Sequence, residues 1–287
     1  MLIAPRLITT AVAVLAAALS LTPATADDRP TATARPLWEA GIAGIVGYVP
    51  DYPAAGRNRV QPLPLPYFIY RGQFFRSDTN GVRLEALRQP RFEFDVSFGA
   101  SLASNAGRNS IRDGLPDLDY LLEAGPNLRV ILWRPQPSSR FSLELPVRSV
   151  ISTDFLHFGD RGFLFAPRLS WLDRPLDDYG LRLHVQLGPD FATEKLQDYF
   201  YEVAPQFARV DRPAFDAQGG YLGTNLDISL SRPITRRVRV FAATKLSYFG
   251  GAQNQASPLF QDRFNYGIFL GFSWSFWQSH ETAARAE

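Results

Sequence analysis

No cysteine occurs among the 287 residues, which excludes disulfides, thiolate metal sites, a cysteine nucleophile and a lipid-bearing N-terminal cysteine. Histidine is nearly as scarce, and His157, His184 and His280 are too scattered to give a metal-ligand spacing. Excess charge is lacking too. Thirty Lys plus Arg against 28 Asp plus Glu leave a formal +2, too weak a field to gather nucleic acid, so no nucleic-acid partner is expected. Beyond residue 26 there is no apolar run of the roughly 20 residues that a membrane helix needs.

The N-terminus carries the pattern of an export signal. Arg6 precedes an apolar run at residues 11–21, Pro23 ends it, and Ala24-Thr25-Ala26 supplies a small-x-small cleavage step. Residues 1–26 are expected to be a signal peptide and Asp27 the first mature residue. An N-terminal anchor helix is the alternative.

The remainder alternates with a period of two. In residues 91–98, Arg91, Glu93, Asp95 and Ser97 oppose Phe92, Phe94, Val96 and Phe98, so a pleated strand puts rings on one face and charges on the other. Arg140, Ser142, Glu144 and Arg148 oppose Phe141, Leu143, Leu145 and Val147 in the same way. Arg182, His184 and Gln186 alternate with leucines and Val185, and Arg237 and Arg239 with Val238 and Val240. Near the end, Tyr266, Ile268, Leu270, Phe272, Trp274 and Phe276 share one face, while Asn265, Gly267, Gly271, Ser273 and Ser275 share the other with Phe269.

A soluble β-sandwich or lipocalin-like calyx also alternates. Here, however, the bulky face is rich in rings, as the interfacial girdles of a membrane barrel require, and the opposing face is small or charged. Twelve strands are expected, near residues 37–48, 65–76, 80–88, 91–102, 119–133, 139–150, 162–173, 179–188, 196–203, 214–231, 235–250 and 263–277. That even count suits an all-β, antiparallel, up-and-down transmembrane barrel over residues 27–277, with a polar tail at residues 278–287. Closure satisfies the backbone hydrogen bonds that hydrocarbon cannot. Turns are expected at Asn80-Gly81, Asp113-Gly114, Arg134-Pro135-Gln136-Pro137, Asp160-Arg161-Gly162 and from Gly250-Gly251 to Pro258. Residues 49–66, with Pro50, Pro53, Pro62, Pro64 and Pro66, read as a stiff polyproline-like loop folded over the rim or into the lumen rather than as a strand, a proline-rich docking motif being the alternative.

The stretch 48–75 leads from Tyr48, Asp51, Tyr52, Gly56 and Arg57 through Pro62-Leu63-Pro64-Leu65-Pro66 to Tyr70-Arg71-Gly72-Gln73-Phe74-Phe75. It resembles the N-terminal signature of the MipA/OmpV family of outer-membrane proteins. Similarity continues, in family order, in Ser110-Ile111-Arg112-Asp113, Gly114-Leu115-Pro116-Asp117, the segment opened by Arg212-Pro213 and ended by Gly219, and Ala256-Ser257-Pro258-Leu259. The polar tail departs from chains that stop at the aromatic end of the last strand. The resemblance implies a non-enzymatic outer-membrane barrel in contact with membrane lipid. It also implies a scaffold whose partners are a murein lytic transglycosylase and a bifunctional penicillin-binding protein.

The residues themselves leave alternatives. Arg91, Glu93, Asp95, Arg140, Glu144, Arg148, Arg182, Arg237, Arg239 and Lys245 fall on polar strand faces. Paired, they would plug the lumen; segregated, they would line a porin-like channel for small polar or anionic solutes. A barrel hydrolase would need a nucleophile, a base and an orienting group, and no Gly-x-Ser-x-Gly elbow occurs. His184 reads as a lumen residue, His157 as part of a turn, and Asp177-Asp178 as a solvated turn rather than a cation site. No catalytic, cofactor-binding or metal residue is assigned.

Overall fold

The computed structural model describes residues 36–70, 75–78, 81–84, 87–88, 91–101, 103–136, 139–173, 180–279 and 281, with no side-chain description for residues 65–90 or 108. The expected signal peptide, His280, Asp177-Asp178 and most of the polar tail lie outside them.

Among the described residues there are fourteen β segments: β1 (Trp38–Pro50), β2 (Asn58–Tyr70), β3 (Phe75–Asp78), β4 (Gly81–Leu84), β5 (Leu87–Arg88), β6 (Phe92–Ser101), β7 (Tyr120–Gln136), β8 (Ser139–Thr153), β9 (Phe158–Phe165), β10 (Arg168–Asp173), β11 (Arg182–Ala192), β12 (Gly220–Pro233), β13 (Val238–Tyr248) and β14 (Phe264–Gln278). A two-turn helix, α1 (Glu194–Tyr201), lies between β11 and β12.

Every described pairing is antiparallel, and the last strand returns to the first: β14 pairs with both β13 and β1. From β1 the ladder runs to β2 on one side and through β14, β13, β12, β11, β10, β8, β7 and β6 to β5 on the other. The β3–β4 hairpin fills the remaining arc, β3 alongside β2 and β4 alongside β6. β9 and β10 each pair with β8 and β11, so they are one stave broken at Ala166-Pro167. Gly188 stands opposite that break, where a Cβ would collide with the Pro167 carbonyl. Counting β9 with β10 and β4 with β5, twelve staves form the wall of a transmembrane β-barrel.

The sequence pattern decides which way the wall faces. Phe94, Phe98, Leu132, Leu169, Leu187, Phe272 and Trp274 are exposed on the outside, whereas Asp95, Asn127, Arg129, Ser142 and Ser170 are buried inside. All five tryptophans lie toward one end, at the start of β1, the end of β7, within β10 and at the end of β14. Trp133 packs 5.9 Å from Trp171 there. Tyr48 and Tyr266 meet at 5.9 Å toward the other end. The eight residue steps from Trp274 to Tyr266 rise about 20 Å at ~3.3 Å per residue and ~40° tilt, close to the ~25 Å apolar band of an outer-membrane barrel.

The two ends differ. At the tryptophan end the staves are joined by short connections, as at residues 234–237. At the other, residues 51–57, 103–119, 193–219 and 249–263 form long loops, and their apolar side chains build the buried core of the molecule with the adjoining strand ends.

Three sequence expectations are corrected. Residues 49–66 are not a polyproline-like loop outside the wall: only 51–57 leave it, and β2 carries Pro62, Pro64 and Pro66 in regular register with Val46, Gly44 and Ile42. In an antiparallel strand the backbone groups of alternate residues face the same neighbour. The three missing N–H groups therefore all fall on the same side of β2, and the ladder to β1 continues through Gln61, Leu63 and Leu65 as well. Residues 196–203 are not a strand but largely α1, which buries Leu196, Gln197, Phe200 and Tyr201 at helical spacing. The count of twelve survives because the expected strand at 65–76 merged β2 with β3. Finally, Asp160-Arg161-Gly162 is no turn but part of β9, with Gly162 at φ +79° beside a register shift opposite Ser149 and Ile151.

Candidate functional site

Two constructions fill the barrel from inside. The first crosses the lumen nearer the short turns. Arg129 of β7 reaches Glu93 and Asp95 of β6 at 2.9 and 3.0 Å through Nη1, and Glu144 of β8 at 3.0 Å through Nε. Asn127 donates to Asp95 at 2.9 Å, and Arg140 lies 3.3 Å from Glu93. Farther along, Arg148 pairs with Glu123 at 2.6 Å and donates to Ser97 at 3.1 Å. Across the lumen Arg168 pairs with Asp190, which also accepts from Asn225, itself bonded to Ser247. Lys245 stands opposite Asp227 in the β12–β13 register. Charges of both signs are thus interleaved, as a low-dielectric interior demands.

The polar faces named from sequence do line the lumen, and Glu93, Asp95, Arg140, Glu144 and Arg148 are brought into these clusters. Arg129, their centre, escaped sequence reading because Leu128 and Val130-Ile131-Leu132 surround it and mask the alternation. Arg168 and Asp190 escaped it because the break at Ala166-Pro167 and the Gly188-Pro189 step interrupt their patterns. His184 lies on the lumen face as expected, its Nε2 2.9 Å from Ser170 Oγ. Between His184, Gln186, Asp227, Lys245 and Phe269 remains a cavity of about 60 Å³.

The second construction is a folded cap over the long-loop end. Leu259 and Tyr201 sit at its centre, 0% and 1% exposed, among Tyr52, Leu118, Leu196, Phe200 and Phe249. Polar groups tie the loops across this core: Tyr52 donates to the Leu259 carbonyl at 2.8 Å, Tyr201 to Pro53 at 3.0 Å and Ser257 to Tyr201 at 2.7 Å. Burial pushes both phenols up from their ordinary values. Arg212 donates to the carbonyls of Ile111, Asp113 and Phe207 at 2.7–2.9 Å. Arg112 donates to the Phe200 carbonyl at 3.0 Å and lies 5.2 Å over the Tyr52 ring, burial lowering its pKa.

Asp51 joins cap to wall: it accepts from Arg59 of β2 at 2.6 Å and from Asn109 at 3.2 Å. Above it a cleft of about 540 Å³ opens between Gly56, Arg57, Asn109, Ser110, Asp113 and Gln261. His157 lies in the exposed β8–β9 turn, where its ring bonds Asp154 at 3.0 Å; that bond raises the histidine and lowers the carboxyl. Among the described residues, no group of three metal-ligating side chains occurs.

The sequence profile of the family described as "MltA-interacting protein MipA" matches residues 42–276. No curated protein sequence matches the chain. Among solved structures, one titled as a bacterial polysaccharide outer-membrane secretin aligns at TM-score 0.45 and 10% identity, over 85% of this chain and 100% of that one. Outer-membrane phospholipase A from Escherichia coli aligns at 0.33 and 13%, over 84% and 94%. The outer-membrane protease OmpT of the same organism aligns at 0.33 and 11%, over 86% and 100%.

Proposed function

The chain belongs to the MipA family and is an outer-membrane β-barrel protein; from that premise we propose that it is a non-enzymatic scaffold of the cell envelope, holding murein-cleaving and murein-synthesising enzymes at the membrane. The partners are a murein lytic transglycosylase and a bifunctional penicillin-binding protein. The observation that carries the reading is the filled interior: a buried Arg129 cluster at one level and a folded cap at another leave a barrel whose usable surfaces are its ends. A scaffold needs surfaces and no conduit. Ser170 and His184 are within hydrogen-bond reach, as a nucleophile and base would be, but Ser170 is only 2% exposed, which gives a substrate carbonyl no approach.

Short turns lie on the periplasmic side of outer-membrane barrels and long loops outside. The tryptophan end therefore faces the periplasm, where murein enzymes work, and the cap faces outward. The second reading, a porin-like channel for small polar or anionic solutes, is favoured by the cavity beside His184, with room for about two waters at ~30 Å³ each. Capture of the purified transglycosylase and penicillin-binding protein by the purified barrel tests the scaffold directly. Binding of either supports it. Failure of both to bind, with reproducible conductance steps in a planar bilayer, would replace it with the channel.

A further inference from the structure

The short-turn end carries a ring of cations, two of which, Arg134 and Arg140, also reach the lumen network through Glu93. Arg91, Arg236 and Arg237 are exposed there and Arg134 is 46% exposed at its side chain, with Arg140, Arg182 and Arg239 nearby. Among the described side chains the carboxylates at this end are Glu39, Glu93, Asp173 and Glu281. Glu93 is engaged by Arg129 and Arg140, and Asp173 by Ser139. The opposite end has the reverse balance: Asp113, Asp117, Asp119, Glu194, Asp198, Glu202, Asp211 and Asp216 crowd the loops beside fewer cations. Over the described residues the charge is therefore unevenly distributed along the axis, although the formal net charge of the chain is only +2.

The register says where these arginines face. Arg134 and Arg140 reach toward Glu93 inside the wall. Arg239 lies opposite Ser273, on the face shared by Phe241, Ala243 and Lys245, and Arg237 has the same parity. Arg91 has the parity of Glu93, and Arg182 that of His184. They ring the mouth, while Trp133, Trp171 and Trp274 occupy the lipid-facing side at the same level. A lipid headgroup would be met from the outer side, so the inward parity favours an anionic partner arriving from the aqueous phase.

Size adds to this. Twelve strands ~4.8 Å apart and tilted ~40° make a ring about 24 Å across, and side chains widen its footprint to the order of 900 Å², near the ~800 Å² each partner contributes to a standard protein interface. Arg forks grip carboxylates in a bidentate fashion.

We propose that the arginine-ringed mouth at the short-turn end is the docking surface for an acidic face of a partner protein, a placement that rests on the scaffold reading above. Rim charges set encounter rate and salt dependence. The test compares the full-length barrel with the triple variant Arg91→Glu, Arg236→Glu, Arg237→Glu in detergent, each first shown folded by heat-modifiable gel migration. The purified murein lytic transglycosylase is the principal probe; purified murein sacculi and phosphatidylglycerol vesicles are run beside it. The expected result is salt-sensitive binding of the enzyme by the native barrel, weakened about tenfold or more by the triple variant and unchanged by Asp211→Asn with Asp216→Asn at the cap. Equal binding by native and triple-variant barrels would overturn the docking site and leave the scaffold standing. No binding of either the transglycosylase or the penicillin-binding protein by the native barrel at any salt would overturn the scaffold itself, and the site with it. Arginine-dependent retention by sacculi or vesicles, without the enzyme, would overturn the protein partner.

Discussion

Both fillings of this barrel are organised around buried arginines, yet they satisfy them differently. Within the span Arg129 is surrounded by Glu93, Asp95 and Glu144, so charge is met by opposite charge. In the cap Arg212 is met by three backbone carbonyls. The difference follows from what lies outside each region. Hydrocarbon surrounds the wall at the height of Arg129, and an uncompensated charge there is costly. The cap borders water, where carbonyl dipoles suffice, and an apolar core around Leu259 supplies the rest of its cohesion. The lumen cluster therefore lies wholly among wall strands, whereas the cap's core is built by the loops on the strand ends beneath them.

The largest effect expected from this contrast is that of Arg129→Ala. It strands three carboxylates inside the wall and should lower stability by about 3–5 kcal/mol. The heat-modified gel form should then appear at a distinctly lower temperature, throughout the barrel and not in the cap alone. Leu259→Ala should cost about 2–5 kcal/mol as a core cavity, but locally. Protease should cut the segments 193–219 and 249–263 faster while the barrel still migrates as a folded species. Arg212→Ala frees three carbonyls near the surface where water can replace the lost donor, so a smaller local loss of about 1–3 kcal/mol is expected by the same proteolysis. A barrel-wide collapse from either cap variant would erase the distinction between the two regions.

The smallest effect is a pH dependence confined to the cap. Burial raises Asp198 of α1 to about 6, with Glu202, Glu194 and Asp216 adding to the shift. A carboxyl whose folded pKa exceeds its unfolded value binds more protons when folded, so its contribution erodes as pH rises from about 4 through 6. Cap proteolysis should quicken slightly between pH 5 and pH 7.5, and Asp198→Asn should flatten that change. An unaltered profile in the variant would remove Asp198 as its cause.

The wall was legible in sequence because period-2 alternation is a local signal, and one face of every strand must meet lipid. Phe92 to Phe98 and Tyr266 to Trp274 announce their outward faces without help from neighbours. The prolines of β2 misled because backbone donors on one side of that strand are dispensable, which only its place in the sheet reveals. α1 misled because its run of rings reads as an aromatic strand, whereas Leu196 and Phe200 are buried by tertiary packing against the loops. The clusters are assembled from β6, β7 and β8 or from β10, β11, β12 and β13, so their membership depends on register. Arg212, buried among loop carbonyls, carries no sequence signature.

The central claim is that rings face lipid and charges face the axis. Because the chain has no cysteine, single labels can be placed cleanly. A nitroxide at Leu270→Cys, on the exposed face of β14, and one at Ala243→Cys, lining the lumen cavity of β13, report which side meets acyl chains. In reconstituted bilayers the label at 270 should collide readily with oxygen dissolved in the lipid, and that at 243 should be shielded from it. Shielding at 270 with lipid collisions at 243 would contradict the account.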